Sequence, residues 1–108
     1  MKGLTRKEEL ILLTIRALDR DAYLVAITDF LVSTVGERMT LPSVHVPLTR
    51  LEKMGYVASE LGEGSPVRGG RRKKIYWITQ AGYRALSKYK RISENLWKAV
   101  PSQTERKG

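Results

Sequence analysis

Apolar positions along this chain follow a helical period three times, switch to alternation, and then return to a helical period for the remainder. The first periodic stretch opens at Thr5-Arg6-Lys7-Glu8, the spacing of a capping box, and predicts a helix to about Leu18. Ile11, Ile15 and Leu18 line one stripe of it; Leu10, Leu13 and Ala17 line a second. One stripe suffices for packing inside a small domain. The second leaves two readings open: burial against another subunit, or a central helix wrapped by its own domain.

Asp19-Arg20-Asp21 reads as a polar turn and Ala22-Tyr23 as a very short strand. Leu24, Ile27, Leu31 and Val35 then predict a second helix over about Leu24 to Thr34, stopped by Gly36. Thr40 is a candidate N-cap for a third helix. Pro42 falls in its first turn, where a missing N–H costs little, and Val44, Leu48 and Leu51 form its buried stripe. Ser43, Thr49, Arg50 and Lys53 lie off that stripe. Pro47 conflicts with a regular helix, because an interior proline removes one backbone bond. The expectation is either a distorted first turn or regular helix starting near Pro47. Gly55 ends this helix.

Tyr56 to Leu61 and Lys74 to Ile78 read as two strands, with Ile75 and Trp77 on one face of the second and Tyr76 and Ile78 on the other. Between them, Gly62 to Gly70 carries four glycines and Pro66, a hairpin signal. Thr79 caps a last helix to about Ala99, with Leu86, Tyr89, Ile92, Leu96 and Val100 as its apolar stripe and Trp97 beside it. That helix is longer than a small lone domain needs. The polar residues 101–108 read as a flexible tail.

Charge changes the picture. The 108 residues carry 20 Lys and Arg against 11 Asp and Glu, a formal net charge of +9. A surplus of this size suits a polyanionic partner, nucleic acid before an anionic membrane surface; a surplus serving solubility is the plainer alternative. Five of the cations, Arg68, Arg71, Arg72, Lys73 and Lys74, cluster around Gly69-Gly70 at the tip of the hairpin. Glycines let such a tip turn, and its cations suit a phosphate backbone. With no cysteine and one histidine, disulfides, thiolate chemistry and Cys or multi-His metal sites are excluded, and no cofactor is implied. No nucleophile–base pair, carboxylate pair or phosphate loop points to an enzyme. The N-terminus is not a signal peptide, and no apolar run approaches the roughly 20 residues that span a bilayer, so no membrane role and a cytoplasmic location are expected.

The order helix, short strand, helix, helix, strand, basic loop, strand, helix predicts a mainly α protein with a small β-hairpin: a winged helix-turn-helix with an extended C-terminal helix. Residues 1–79 would form the DNA-binding domain and 80–100 a dimerisation helix packed on it. Two segments carry a family resemblance. Leu48-Thr49-Arg50-Leu51-Glu52-Lys53-Met54-Gly55-Tyr56-Val57 resembles the L-x-R-L-E-x-x-G-L/Y-V/I run of PadR-family transcriptional regulators. Arg68 to Gly82 resembles their G-G-R-R-K-x-Y-x-L/I-T-x-x-G run, and Ala22-Tyr23 also matches. The resemblance covers about Leu4 to Leu96 and is to the short form, without a separate C-terminal effector domain. Three positions depart from it: His45 where many members have Tyr, Pro47 one place later than usual, and Leu24 where a glycine commonly follows the Ala-Tyr pair.

The resemblance implies a homodimeric repressor of transcription that binds double-stranded DNA. The residue types divide the work. Recognition helices place N-terminal side chains against base edges, which puts Thr40, Ser43, His45, Thr49, Arg50 and Lys53 on the candidate reading helix. Arg50 suits a bidentate contact with guanine; a phosphate contact or an intramolecular pair with a carboxylate such as Glu52 or Glu60 is the alternative. His45 suits donation to DNA or burial against backbone. Arg68, Gly69, Gly70, Arg71, Arg72, Lys73 and Lys74 form the candidate wing, with one of the two lysines facing solvent as the plain alternative. Trp77 reads as hairpin support. Family members dimerise through their first and last helices, and some bind flat aromatic molecules between subunits. By that resemblance Leu10, Leu13, Tyr89, Ile92, Leu96 and Trp97 are candidates for a dimer interface or a small aromatic effector site; plain packing is the alternative. An RNA-binding or protein-interaction winged-helix module is the competing function.

Overall fold

The structure, a computed structural model, describes residues 3–62 and 73–101. Helix α1 spans Arg6–Leu18, followed by a 3-10 turn over Asp19–Asp21, then α2 (Leu24–Val35) and α3 (Leu41–Lys53). Strands β1 (Val57–Leu61) and β2 (Lys74–Ile78) precede the 20-residue α4, Gln80–Ala99. The strands pair antiparallel, with Val57 opposite Ile78 and Leu61 opposite Lys74. Apart from the short strand read at Ala22-Tyr23, this is the expected order, and the fold class is the expected one.

Helix α1 is the central element. Ile11, Leu12 and Ile15 are fully or almost fully buried against Ile27, Leu31, Val44, Leu48 and Leu51. Burial of a side chain of this size contributes about 1.5–3 kcal/mol, so this cluster dominates the stability of the domain. The two stripes read in α1 are resolved unequally. Leu10 packs on the domain's own core, whereas Leu13 and Ala17 are exposed. Leu12, in neither stripe, is completely buried because α1 is covered on three sides.

The ends of the helices form as their residues dictate. The capping box of α1 is complete: Glu8 N–H donates to Thr5 Oγ1 at 3.1 Å and Thr5 N–H donates to Glu8 Oε1 at 2.9 Å. Thr40 and Ser43 make the same reciprocal pair at the start of α3. Gly36 ends α2 and Gly55 follows α3, both with positive φ. Beyond α3 the chain closes as a Schellman turn, with Tyr56 N–H on the Leu51 carbonyl at 3.0 Å and Gly55 N–H on the Glu52 carbonyl at 3.1 Å. That turn claims Tyr56, which is why β1 starts one residue later than its sequence predicts.

Two expectations are corrected. Helix α3 runs unbroken through Pro47, so neither a distorted first turn nor a late start occurs. The reciprocal cap at Thr40 and Ser43 and the completely buried Val44, Leu48 and Leu51 hold the helix on both sides of the lost bond. Ala22-Tyr23 is not a strand; the Ala22 carbonyl accepts a bond from Tyr76 N–H at 3.0 Å, tying the hairpin to the helices at one point.

The hairpin is also tied to α4. Thr79 donates its hydroxyl to the Gly55 carbonyl at 2.6 Å and caps α4 by accepting from Gly82 N–H at 3.1 Å. Gly82 lies so close to the Tyr56 carbonyl that a Cβ there would collide with it. Further along, α4 leaves the domain: every residue from Lys90 to Val100 is exposed. The radius of gyration, 16.9 Å, accordingly exceeds the roughly 13 Å of a compact chain of this length.

Candidate nucleic-acid interface

Helix α3 buries one side and offers the other. With Val44, Leu48 and Leu51 turned inward, Pro42, His45, Val46 and Lys53 are exposed and Thr49 is half-buried. Thr40 and Ser43, read as candidate DNA contacts, spend their hydroxyls on each other's backbone as the cap. They position the start of the helix. His45 is exposed, against the reading that buries it against backbone.

Arg50 makes the intramolecular carboxylate pair read as its alternative, with Glu8 in place of Glu52 or Glu60. Its Nη1 donates to Glu8 Oε2 at 2.5 Å, across 42 residues of sequence. The Glu8 side chain is 2% exposed and that of Arg50 46%. Glu8 thus serves two elements at once: one oxygen completes the cap of α1 and the other holds the last turn of α3. Sequence reasoning found Glu8 only as a capping residue. Its second role has no local signal, because the partner lies two helices away.

Val46 was missed as well. It is 68% exposed, and the buried stripe of α3 could have revealed it. With about 100° per residue, position 46 falls almost opposite Val44, Leu48 and Leu51.

Beside α3, the hairpin brings the two described wing cations onto internal partners. Lys73 lies over the ring of Tyr23, 5.2 Å from its centroid. Lys74 lies 3.7 Å from Glu52 Oε1 and 5.8 Å from the Tyr76 centroid. Glu52 also accepts from the Ser59 hydroxyl at 2.5 Å. Burial, and secondarily the Glu52 charge, push the Tyr76 phenol above its usual 10.0. Arg68, Gly69, Gly70, Arg71 and Arg72, the tip of the expected wing, lie outside the described residues. Trp77 faces outward on β2, 42% exposed.

A second surface runs along α1 and α4. Leu13, Tyr83, Ile92, Leu96, Trp97 and Val100 are large apolar side chains left exposed there, Trp97 at 72%. Arg16 covers the ring of Tyr83 at 5.3 Å. A groove of about 450 Å³ between the two helices is lined by Glu9, Leu13, Arg16, Tyr83 and Leu86, among others. Tyr89 belongs elsewhere: its hydroxyl accepts from Leu4 N–H at 3.1 Å, fastening the residues before α1 to α4. Leu10 is turned into the core, so of the six candidates for this surface Leu13, Ile92, Leu96 and Trp97 remain available. Among the described residues, no group of His, Asp and Glu is placed to hold a metal ion, and no helix is long and apolar enough to cross a membrane.

Helices α2 and α3 packed on a central α1, a two-stranded hairpin packed beside the third helix, and a long final helix define a winged helix-turn-helix protein. The fold is that of PadR-family transcriptional regulators, as the sequence resemblance implies. A transcriptional regulator from Clostridium thermocellum superposes with a TM-score of 0.70 at 22% identity, over 86% of this chain and 84% of that one. A PadR-like transcription factor from Bacteroides fragilis gives 0.69 at 23% identity, over 88% and 89%. A PadR family transcriptional regulator from Eggerthella lenta gives 0.67 at 27% identity, over 88% and 80%. No protein-family model matches the sequence, and no curated protein does.

Proposed function

We propose that this chain is a DNA-binding transcriptional regulator, a homodimeric repressor of the PadR type working in the cytoplasm. The observation that carries the reading is the exposed outer face of α3, set beside a basic hairpin in a chain of net charge +9. Such a helix enters a major groove with its N-terminal half against the bases, while wing cations contact phosphates and fix its register. The exposed apolar side chains of α1 and α4 support pairing with a second copy. Pairing would set two α3 helices about one turn of DNA apart on a near-palindromic site. A flat aromatic effector would bind in the α1–α4 groove and act by shifting that spacing.

Residues 1–79 act as the DNA-binding unit and 80–100 as the dimerisation helix. Within α3, His45, Thr49 and Lys53 take the DNA contacts, Thr40 and Ser43 shape the start of the helix, and Arg50 holds it against α1. Arg68, Arg71 and Arg72 supply phosphate contacts, with Lys73 and Lys74, held on Tyr23 and Glu52, at the base of the wing.

The test is fluorescence anisotropy with the DNA upstream of the protein's own operon, beside a shuffled duplex and a structured RNA, at two salt concentrations. Tighter binding to the native duplex that persists at higher salt is expected. Arg71→Ala with Arg72→Ala should weaken all duplexes alike and flatten the salt dependence by about one unit per lost phosphate contact. Equal, salt-erased binding to all three ligands, or preference for the RNA, refutes the reading.

A further inference from the structure

The outer face of α3 carries an apolar side chain at its centre. Pro42, Val46, Thr49 and Lys53 lie opposite the buried stripe, and His45 and Arg50 flank them on the two sides. Val46, at 68%, is the most exposed of the helix's large apolar side chains. It adds nothing to the core, where Val44, Leu48 and Leu51 fill the inward side.

The groups that read guanine are absent from the centre of this face. Bidentate recognition of guanine O6 and N7 needs an arginine or lysine at the bases. Arg50, the one arginine of α3, has its guanidinium on the buried Glu8 carboxylate. Lys53 sits in the last turn, away from the end of a recognition helix that meets base edges. The second turn therefore offers the two methyl groups of Val46, with the imidazole of His45 and the hydroxyl of Thr49 beside them. In the major groove one base presents an apolar group: the C5-methyl of thymine.

We propose that Val46 is a specificity-determining residue that packs on a thymine methyl in each half-site. The inference rests on the reading of α3 as the DNA-recognition helix. Burial of one methyl-sized group corresponds to about a four-fold change in affinity.

The experiment selects a preferred duplex from a randomised pool with the full chain. Each thymine of the selected site is then replaced in turn by deoxyuridine, which lacks only that methyl. The wild type should lose about four-fold at one thymine of each half-site. Val46→Ala should bind the thymine and uracil duplexes alike, while keeping the wild-type thermal midpoint. A wild type indifferent to every replacement overturns the inference, as does a Val46→Ala variant that keeps full sensitivity to uracil. Failure of the wild type to enrich any duplex is a different result: it refutes the DNA reading itself, and this inference falls with it.

Discussion

Replacing Arg50 by methionine tests what that residue does. If it reads bases, Arg50→Met costs affinity and leaves the fold alone. The geometry predicts the reverse. Glu8 is 2% exposed and its carboxylate has two partners, Thr5 N–H at 2.9 Å and Arg50 at 2.5 Å. Removing one partner of a fully buried pair costs about 3–5 kcal/mol, because a charge is left without compensation. Arg50 is 46% exposed, so water reaches the vacated side, and the capping bond to Thr5 survives. Both reduce the cost, to about 2–3 kcal/mol by the same reasoning. In a domain of this size that lowers the thermal midpoint by roughly 10–20 °C. Glu8→Gln should cost less, about 1 kcal/mol, since the half-exposed Arg50 can be hydrated and the amide oxygen can still cap α1. The double variant should sit nearer the wild type than Arg50→Met does, the signature of a coupled pair. Far-UV circular dichroism melts measure all three variants, at one fixed concentration because self-association would shift the midpoints. An Arg50→Met variant that melts within a few degrees of the wild type, or a double variant whose loss equals the sum of the singles, would refute the argument.

Three further outcomes follow from packing and ionisation. Gly82→Ala should destabilise by about 1–3 kcal/mol in urea titration despite alanine's better helix propensity, because the added Cβ meets the rigid Tyr56 carbonyl and lies 2.8 Å from Ile78 Cγ1. Tyr76 has its phenol raised by burial and by Glu52, so the folded state favours the neutral form. Its contribution is fully present below the usual 10.0 and is lost as pH rises from there through the raised value. Tyr76→Phe should therefore remove part of the alkaline loss of stability above pH 10.0, read as a smaller difference between melts at neutral and alkaline pH. Leu96→Glu with Trp97→Glu should convert a dimer to a monomer in sedimentation velocity with helicity retained, since both side chains are exposed in the single chain. A wild type that sediments as a monomer refutes the dimer.

How much of this was legible in the sequence depends on how far apart the causes lie. The four helices and two strands follow from local signals: the Thr5, Thr40 and Thr79 caps, the glycines after α2 and α3, and the change of period between Tyr56 and Ile78. Each operates within one turn or one strand. Where two local signals conflict, tertiary packing decides between them. Pro47 argues against a helix, but the caps on one side and three completely buried side chains on both sides outweigh one missing hydrogen bond. Likewise Leu12 lies outside both stripes read in α1 and is completely buried, since periodicity cannot count how many neighbours will surround a helix.

The candidate site was legible by region and not by role. The sequence marks α3 and the hairpin as the basic, polar part of the fold, yet five of the described candidates there have their polar groups engaged inside the chain. Thr40 and Ser43 cap α3, Arg50 pairs with Glu8, Lys73 lies over the Tyr23 ring, and Lys74 faces Glu52. A short-range pattern cannot reveal such partnerships when, as for Glu8 and Arg50, 42 residues separate the two groups. Their effect on function is nonetheless direct. Glu8 lies in the first turn of α1, the helix whose exposed Leu13 faces the proposed dimer surface, and Arg50 lies in the last turn of α3, the proposed reading helix. One buried carboxylate thus ties the element that would meet a second copy to the element that would meet DNA. An arginine that could have read a guanine instead makes this tie, which leaves the reading to the side chains that α3 keeps free.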